Sequence, residues 1–297
     1  NTSVTLSHNK NSVKQLTGEE VQLWEANFGY SQNTHIIGIN QPLGQMYGYI
    51  TEGLYQVSDF DYDATTQTYT LKDGIPYAGD KANVKPGMWK FKNVDGSEDN
   101  KITEEDKTVI GNAYPKFYGG INNTFTYKDF DLSIFLTYSF GNDVLNATKL
   151  TNTKTALQNK NVLAAADSHN RWVLVNKSGE LITDPQEMAE INRGKTVAAI
   201  YDNEVGDTYI HSWAVEDGSF LKLSNITLGY TFPKKIIEKV GISKLRLYAT
   251  GSNLLTWTKY SGFDPEVSTM GNGLTPGVDF GAYPKSRSFV FGINLAF

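Results

Sequence analysis

The sequence predicts an all-β protein that forms part of a large antiparallel β-barrel crossing a membrane. Three observations support this fold. Segments of about ten residues alternate large apolar with small or polar side chains, the connections between them are alternately long and short, and tyrosine, phenylalanine and glycine are abundant. The 297 residues are 39% hydrophobic, which is enough for an ordered fold. No run approaches the roughly 18 apolar residues of a membrane-spanning helix.

Composition also excludes several functions. The net charge of -5 argues against nucleic-acid binding, which needs a concentrated basic surface. The chain has no cysteine, so disulfide frameworks, thiolate metal sites and cysteine nucleophiles are excluded. The first residues already read as the body of a strand, without an initiator Met or signal peptide, which indicates a fragment or a processed product.

About seven strands are predicted, at 3–13, 45–57, 117–127, 130–140, 220–232, 245–257 and 289–297. The clearest is 130–140, where large apolar residues occupy every second position from Phe130 to Phe140. Its length matches the roughly 9–11 residues that a tilted strand needs to cross a membrane. Only Lys128 and Asp129 separate it from the preceding strand, and periplasmic turns of barrels are equally short.

Two of the predicted strands, 289–297 and 220–232, have features that need explanation. The strand at 289–297 places Phe289, Phe291, Ile293, Leu295 and Phe297 on one face; a soluble β-sandwich could contain the same strand. In the strand at 220–232, Lys222 and Ser224 interrupt the apolar face. A lipid-facing lysine costs about 2–4 kcal/mol at the midplane but only about 0–1 kcal/mol near the interface. Lys222 is therefore predicted at the membrane rim.

Strand parity predicts the positions of the connections. With Phe297 at the periplasm, Asn1 lies on the outer side. The outer loops are then about 58–116, 141–218 and 258–286, and the periplasmic connections are 14–44, 128–129 and 233–243. Bacterial single-chain barrels have an even number of strands, at least eight. Seven strands cannot close, so the chain needs the remainder of its barrel.

Several motifs resemble those of SusC/RagA-type TonB-linked outer-membrane transporters. Residues 44–56, GQMYGYITEGLYQ, resemble the family stretch GxxYGYxxxGIYQ. Further matching segments follow in the family's order at 85–92, 95–111, 115–125, 220–230, 247–257, 263–266 and the closing strand. By this resemblance, residues 1–297 are identified as the C-terminal part of a barrel that has 22 strands when complete. The plug domain, the TonB box and the early strands are absent.

The resemblance implies a nutrient importer in the outer membrane of a Gram-negative, Bacteroidetes-type bacterium. A SusD-like surface lipoprotein would close over the barrel and trap an oligosaccharide or peptide, and TonB would displace the plug. Implied partners also include membrane lipid and the N-terminal portion of the same transporter. A passive porin would lack the lid and the plug. The alternative from another class is a secreted, soluble, β-rich glycan-binding protein with a calcium loop, which would not need detergent.

One segment has the spacing of a twelve-residue calcium loop. Counting from Asp95, the ligand positions 1, 3, 5, 7 and 12 are Asp95, Ser97, Asp99, Lys101 through its carbonyl, and Asp106. Asn100 replaces the usual glycine at position 6, and Asp106 replaces the usual glutamate. A structural Ca²⁺ is therefore predicted, with a solvated acidic turn that caps a helix near Thr103 as the alternative.

Catalytic motifs are scarce, so the chain is not expected to be an enzyme. His8, His35, His169 and His211 show no metal-ligand spacing. Asp264 and Glu266 could pair as a glycosidase acid and base, but a polar loop offers such pairs by chance. Trp172 and Trp213 are weak candidates for stacking on a substrate sugar, with loop packing as the alternative. A short helix is predicted within 154–170.

Overall fold

The computed structural model describes residues 1–28, 32–154, 161–201, 209–269 and 272–297. Nearly all of the regular structure is β-strand, as predicted. The strands are β1 (Thr2–Ser7), β2 (Val21–Glu25), β3 (Asn33–Gly38), β4 (Gln45–Gly48), β5 (Thr51–Leu54), β6 (Phe60–Asp63), β7 (Thr68–Leu71), β8 (Tyr77–Ala78), β9 (Trp89–Phe91), β10 (Lys101–Ile102), β11 (Thr108–Asn112), β12 (Phe117–Tyr127), β13 (Phe130–Phe140), β14 (Asp143–Asn146), β15 (Val215–Asp217), β16 (Phe220–Thr231), β17 (Lys244–Thr258), β18 (Val278–Asp279) and β19 (Ser288–Ala296). The α-helices are α1 (Ala147–Asn152), α2 (Pro185–Ile191) and α3 (Lys234–Ile237). Among the described residues, none of the helices has the length and apolar character to cross a membrane.

Six strands form one continuous sheet, here termed the wall sheet. Its order is β1-β12-β13-β16-β17-β19, and every neighbouring pair is antiparallel. The two-residue turn at Lys128 and Asp129 joins β12 to β13, with Lys128 in the left-handed conformation at φ 53°. The sheet is open, with β1 and β19 at its edges. It is therefore part of an antiparallel barrel wall.

The wall sheet has one apolar face that is exposed. Cross-strand partners share a face, so Phe125, Leu132 and Leu228 lie side by side on this surface. On the last strand, Phe291 is 80% exposed and Ile293 is 68% exposed. A surface this apolar and this continuous is suited to lipid rather than to water.

A β-bulge at Ser224 changes the predicted position of Lys222. Leu136 pairs with Leu223 and Phe135 pairs with Asn225, so Ser224 is an extra residue without a partner on β13. The extra residue shifts the alternation, and Lys222 pairs with Thr137 on the polar face of the wall sheet. The prediction that Lys222 lies on the apolar face was wrong, but Lys222 does lie near one end of β16, as expected for a residue at the rim.

The predicted strand at 45–57 does not enter the wall sheet, which has six strands rather than about seven. It divides into β4, which pairs with β3 and β11, and β5, which pairs with β9. The Ile210 backbone lies directly against this segment: a Cβ at Gly48 would be 2.3 Å from the Ile210 carbonyl oxygen. Met46, Tyr49 and Leu54 are buried, so the segment packs inside the protein and does not present an apolar face to lipid.

With six strands, all the long connections leave the same end of the wall sheet. They are 8–116, 141–219 and 259–287, and their described residues are here termed the insertion lobe. Strand parity predicted the connection 14–44 at the opposite, periplasmic end. The structure instead places it in this lobe. Asn1 likewise lies at the end with the short turns, where its amino group donates to the Thr124 carbonyl oxygen at 2.7 Å.

The insertion lobe is a packed body with hydrophobic clusters of its own. One cluster combines Met46 from the first insertion, Leu145 and Ile210 from the second, and Val278 from the third. A larger cluster surrounds Phe91, which is fully buried. The predicted outer loops thus form a folded structure. Of the helix predicted within 154–170, residues 155–160 lie outside the described residues, and the rest contains only a single 3-10 turn, Ala164–Ala166.

Candidate functional site

A cavity of about 520 Å³ opens in the insertion lobe, between the second and third insertions. Helix α1 forms one side of it, where Asn146 caps the helix by accepting from the Lys149 backbone N–H at 2.8 Å. The third insertion forms the other side and carries Phe263, whose side chain is 75% exposed. Its remaining lining residues are Thr148, Lys149, Leu163, Ala164, Ala165, Asn170, Thr196, Val197, Trp213, Ser261, Gly262, Asp279, Gly281 and Ala282. The volume is within the usual range of small-molecule sites.

Trp213 borders this cavity but is already covered by neighbouring side chains. The Lys149 Nζ lies 4.1 Å from the centroid of the indole ring and donates to the Trp213 carbonyl oxygen at 2.9 Å. The Trp89 ring centroid is 4.9 Å from that of Trp213. The predicted stacking of a sugar on Trp213 therefore competes with a cation–π contact and an aromatic pair.

Glu216 holds Lys149 in place. The Lys149 Nζ is 3.0 Å from Glu216 Oε1, and Glu216 Oε2 accepts from the Ser261 backbone N–H at 2.8 Å. Burial by itself would raise the pKa of Glu216, but the hydrogen bonds from Ser261 and the charge of Lys149 outweigh it and lower that pKa. The carboxylate thus joins the second insertion to the third beside the cavity.

Asp279 is a buried carboxylate in the lining of the cavity. Its Oδ2 accepts from the Tyr260 hydroxyl at 2.6 Å, and its Oδ1 accepts from the Ala282 backbone N–H at 3.3 Å. Burial, followed by this hydrogen bond and the charge of Asp279, raises the pKa of Tyr260. Tyr260 therefore stays neutral and acts as a fixed donor.

An ion cluster attaches the third insertion to the wall sheet. The buried Lys222 Nζ is 3.2 Å from Asp264 Oδ2 and also contacts Glu266 Oε2. Lys285 approaches the same two carboxylates at 3.3 and 2.9 Å. Burial alone would raise the pKa values of Asp264 and Glu266, but hydrogen bonds and the charges of both lysines lower them. Both carboxylates are therefore charged and paired, an arrangement unlike a glycosidase acid and base, in which one carboxyl has a raised pKa.

Trp172 does not face a ligand site. It is 1% exposed and lies in the cluster around Phe91. A Cβ at Gly87 would lie 2.5 Å from the Trp172 ring, so the indole packs directly on that glycine. A sugar cannot reach a ring enclosed in this way. The structure assigns Trp172 to core packing, and the stacking prediction for it was wrong.

The loop from Asp95 to Asp106 is closed by hydrogen bonds of its own. Asp106 is fully buried, and its two oxygens accept backbone N–H groups of Val94 at 2.7 Å, Asp95 at 3.3 Å and Thr103 at 2.7 Å. Asp95 accepts from the Ser97 N–H at 2.8 Å; Asp99 accepts from the Lys101 N–H at 3.0 Å. In the part of the chain that the structure describes, no three His, Asp or Glu side chains are grouped to hold a metal. Calcium at this loop stays a prediction, and the donors fit it poorly because the Asp106 oxygens already serve the backbone.

Two buried histidines join the insertions together. The His35 Nε2–H donates to the Pro276 carbonyl oxygen at 2.9 Å, and its Nδ1 accepts from the Thr34 hydroxyl at 2.9 Å. The His211 Nδ1 is 2.6 Å from Thr51 Oγ1. Burial lowers the pKa of His35 to about 4 and that of His211 to about 3. Both rings are therefore neutral at pH 7 and have a structural role.

Sequence reasoning missed the cavity and the ion cluster. Phe263 was visible only as part of a family motif, and Asp264 and Glu266 were considered only within that motif or as a catalytic pair. Lys222 was assigned to the wrong face. The only sequence signal for the cluster was the presence of a lysine in a strand that is otherwise apolar. Its partners lie more than 40 residues away in the chain, and no periodic pattern connects residues at such a separation.

The wall sheet, its exposed apolar face and the lobe at one end define a segment of a membrane-spanning β-barrel. No protein-family model matches the chain. The whole chain is 30% identical to the TonB-dependent receptor P3 of Formosa agariphila, of which it covers 26%. Over 69% of its length it is 28% identical to the TonB-dependent receptor SusC of Bacteroides thetaiotaomicron, of which it covers 17%.

Solved structures show the same fold. The chain superimposes over its full length on 26% of a chain in the RagAB peptide transporter, with a TM-score of 0.65 and 20% identity. The same importer in its "open-open" state gives a TM-score of 0.64. The resemblance found in the sequence motifs is confirmed: the chain is similar to the C-terminal part of TonB-dependent receptors, SusC among them. It spans about a quarter of the length of the first two curated relatives.

Proposed function

We propose that the full-length protein containing this chain is a TonB-dependent importer in the outer membrane of a Gram-negative bacterium of the Bacteroidetes type. It takes up oligosaccharides or peptides together with a SusD-like surface lipoprotein. The chain contributes six strands of barrel wall and a large part of the extracellular surface. It performs no covalent chemistry, in keeping with relatives that are named receptors and transporters.

The observation that carries this proposal is the contrast between the two faces of the wall sheet. One face is a continuous exposed apolar surface from Val4 on β1 to Phe291 on β19. The other face is mostly small or polar and carries the ion pair between Arg246 and Asp131 at 2.6 Å. A soluble sheet would bury its apolar face and expose its polar one, whereas a barrel with a polar lumen does the reverse.

The insertion lobe supports an extracellular role in capture. All three insertions emerge from one end of the wall sheet, and barrels carry their long loops on the outer side. The lobe would present the surface on which the lipoprotein closes, and it contains the cavity next to Phe263. TonB and the plug would act through parts of the transporter other than these residues.

The test is energy-dependent uptake by the native host. Deletion of the gene should abolish growth on one class of oligosaccharide or peptide, and the full-length gene should restore it. A gene whose product lacks the TonB-binding segment should not restore growth. Restoration by that truncated gene would contradict an active importer and leave a passive pore.

The purified full-length protein separates this proposal from the soluble alternative. We expect it to need detergent and to co-purify with a lipoprotein at equal stoichiometry. A protein that stays monodisperse without detergent would contradict the barrel proposal. It would favour a secreted glycan-binding protein.

A further inference from the structure

We propose that the cavity between the second and third insertions binds an apolar side chain of a short peptide. This inference rests on the proposed import function and narrows it, because it selects peptides over oligosaccharides at this site. It follows from the chemistry of the groups that line the cavity.

The cavity offers a surface of small apolar groups. Ala164 and Ala165 line one side, Val197 adds a branched side chain, and Ala282 faces them from the third insertion. Phe263, 75% exposed, is the largest lining side chain that remains open to an incoming ligand. An apolar group that enters here exchanges water for hydrocarbon contacts on several sides.

Most of the polar lining groups already have partners within the protein. The Asn146 side chain caps α1 and donates to Glu216 and Ser261. The Thr148 hydroxyl donates to the Asp279 carbonyl oxygen at 3.3 Å and accepts from the Gly281 N–H at 2.7 Å. Lys149, Ser261 and Asp279 are likewise engaged. A ligand that needed these groups would first have to break their present bonds.

A sugar ring is poorly matched to such a surface. Each ring carries several hydroxyls, and burial of a hydroxyl without a partner costs about 1–3 kcal/mol. Of the two aromatic rings in the lining, Trp213 already holds Lys149 over its centroid at 4.1 Å, which leaves Phe263 alone for stacking. An apolar side chain has no hydroxyls to satisfy and does not require Lys149 to leave Glu216.

One narrow polar strip remains, and it suits a peptide backbone. The Asn170 carbonyl oxygen accepts the backbone N–H groups of Thr196 at 2.9 Å and Val197 at 3.0 Å, so these residues are adjacent. Among the described residues, no hydrogen bond reaches the Asn170 amide oxygen or the Thr196 hydroxyl. An amide oxygen and a hydroxyl can pair with one peptide group while the apolar side chain enters the cavity.

The experiment uses the full-length transporter in detergent and isothermal titration calorimetry. The probes are Gly-Phe-Gly, Gly-Ser-Gly and maltotriose. We expect Gly-Phe-Gly to bind at least about tenfold more tightly than Gly-Ser-Gly, because burial of a phenylalanine side chain is worth at least that factor. Maltotriose should not compete with Gly-Phe-Gly.

Two variants locate the binding site without disturbing the core. Ala165→Trp places a large ring at an exposed lining position and should reduce the affinity for Gly-Phe-Gly at least about tenfold. Phe263→Ala should weaken it as well. Ala64→Trp, at an exposed turn remote from the cavity lining, is the matched control and should bind as the wild type does.

The outcomes separate this inference from the proposed function. Equal binding of the two peptides, stronger binding of maltotriose, or unchanged peptide binding by Ala165→Trp would each overturn the inference. An absence of peptide binding would also overturn it. The uptake assay tests the import proposal independently. If cells with Ala165→Trp still show TonB-dependent growth on every peptide source, the protein is an importer but this cavity is not its peptide site.

Discussion

Replacement of Lys222 by methionine tests how the insertion lobe is attached to the barrel wall. Methionine keeps the length of the side chain but removes its charge, which leaves Asp264 and Glu266 without their buried partner. Lys222 is 4% exposed, and its Nζ lies 3.2 Å from Asp264 Oδ2. Loss of one member of a buried pair costs about 3–5 kcal/mol because the other charge stays buried.

The remaining lysine places the expected value at the low end of that range. Lys285 stays 3.3 Å from Asp264 and 2.9 Å from Glu266 and still balances part of their charge. Its side chain is 46% exposed, so solvent screens its contribution. We therefore expect Lys222→Met to lower the free energy of local unfolding of the third insertion by about 3 kcal/mol. This corresponds to a roughly hundredfold increase in the population of the open form.

Limited proteolysis of the detergent-solubilised protein measures that population. Tyr260 is 5% exposed, so chymotrypsin should cut after it only when the third insertion opens, and mass spectrometry follows the new terminus. Lys222→Met should raise this cleavage rate about a hundredfold. The double variant Lys222→Met with Asp264→Asn should recover part of the protection, because it removes an unpaired charge.

A matched control uses an ion pair on the surface. Lys81 lies 2.6 Å from Asp73, whose side chain is fully exposed, so Lys81→Met should leave the cleavage rate unchanged. If Lys222→Met is cleaved no faster than Lys81→Met, the ion cluster does not hold the third insertion. The reasoning from burial would then be refuted.

Three further predictions concern the lobe. Its thermal stability should fall as pH decreases from about 6.5, the unfolded-state pKa of histidine, towards the folded-state value of about 4 for His35. In this pH range the His35 side chain binds a proton in the unfolded chain but not in the folded one, so His35 alone lowers the free energy of unfolding by about 2 kcal/mol at pH 5. Thermal unfolding measured from pH 7 to pH 5 checks this. His35→Gln should make the thermal midpoint less dependent on pH. Gly87→Ala should destabilise the lobe by about 3 kcal/mol, because φ is 87° and the new Cβ would meet the Trp172 ring; a thermal midpoint equal to wild type contradicts the packing. Asp106→Ala should cost about 3 kcal/mol through three unpaired backbone N–H groups, and EDTA should lower the wild-type midpoint only if calcium also holds this loop.

The local character of the wall strands was determined by the sequence. In β12 and β13, alternate residues face lipid over 11 positions, and these strands appear at the predicted bounds 117–127 and 130–140. The reason is physical: a strand with lipid on one side and a polar lumen on the other must alternate with period two. The family motifs added the fold, which the comparison with solved structures confirmed, and the resemblance to TonB-dependent receptors, which the curated relatives confirmed.

Tertiary structure decided the features that alternation does not encode. Residues 45–57 have strand-like composition, yet close approach of the Ile210 backbone at Gly48 confines them to the lobe. One extra residue at Ser224 moves Lys222 to the polar face, because a single unpaired residue inverts the pattern on one side of the bulge. The ion cluster and the cavity unite residues distant in the chain, and only the packing of the third insertion against the wall sheet and the second insertion could bring them together.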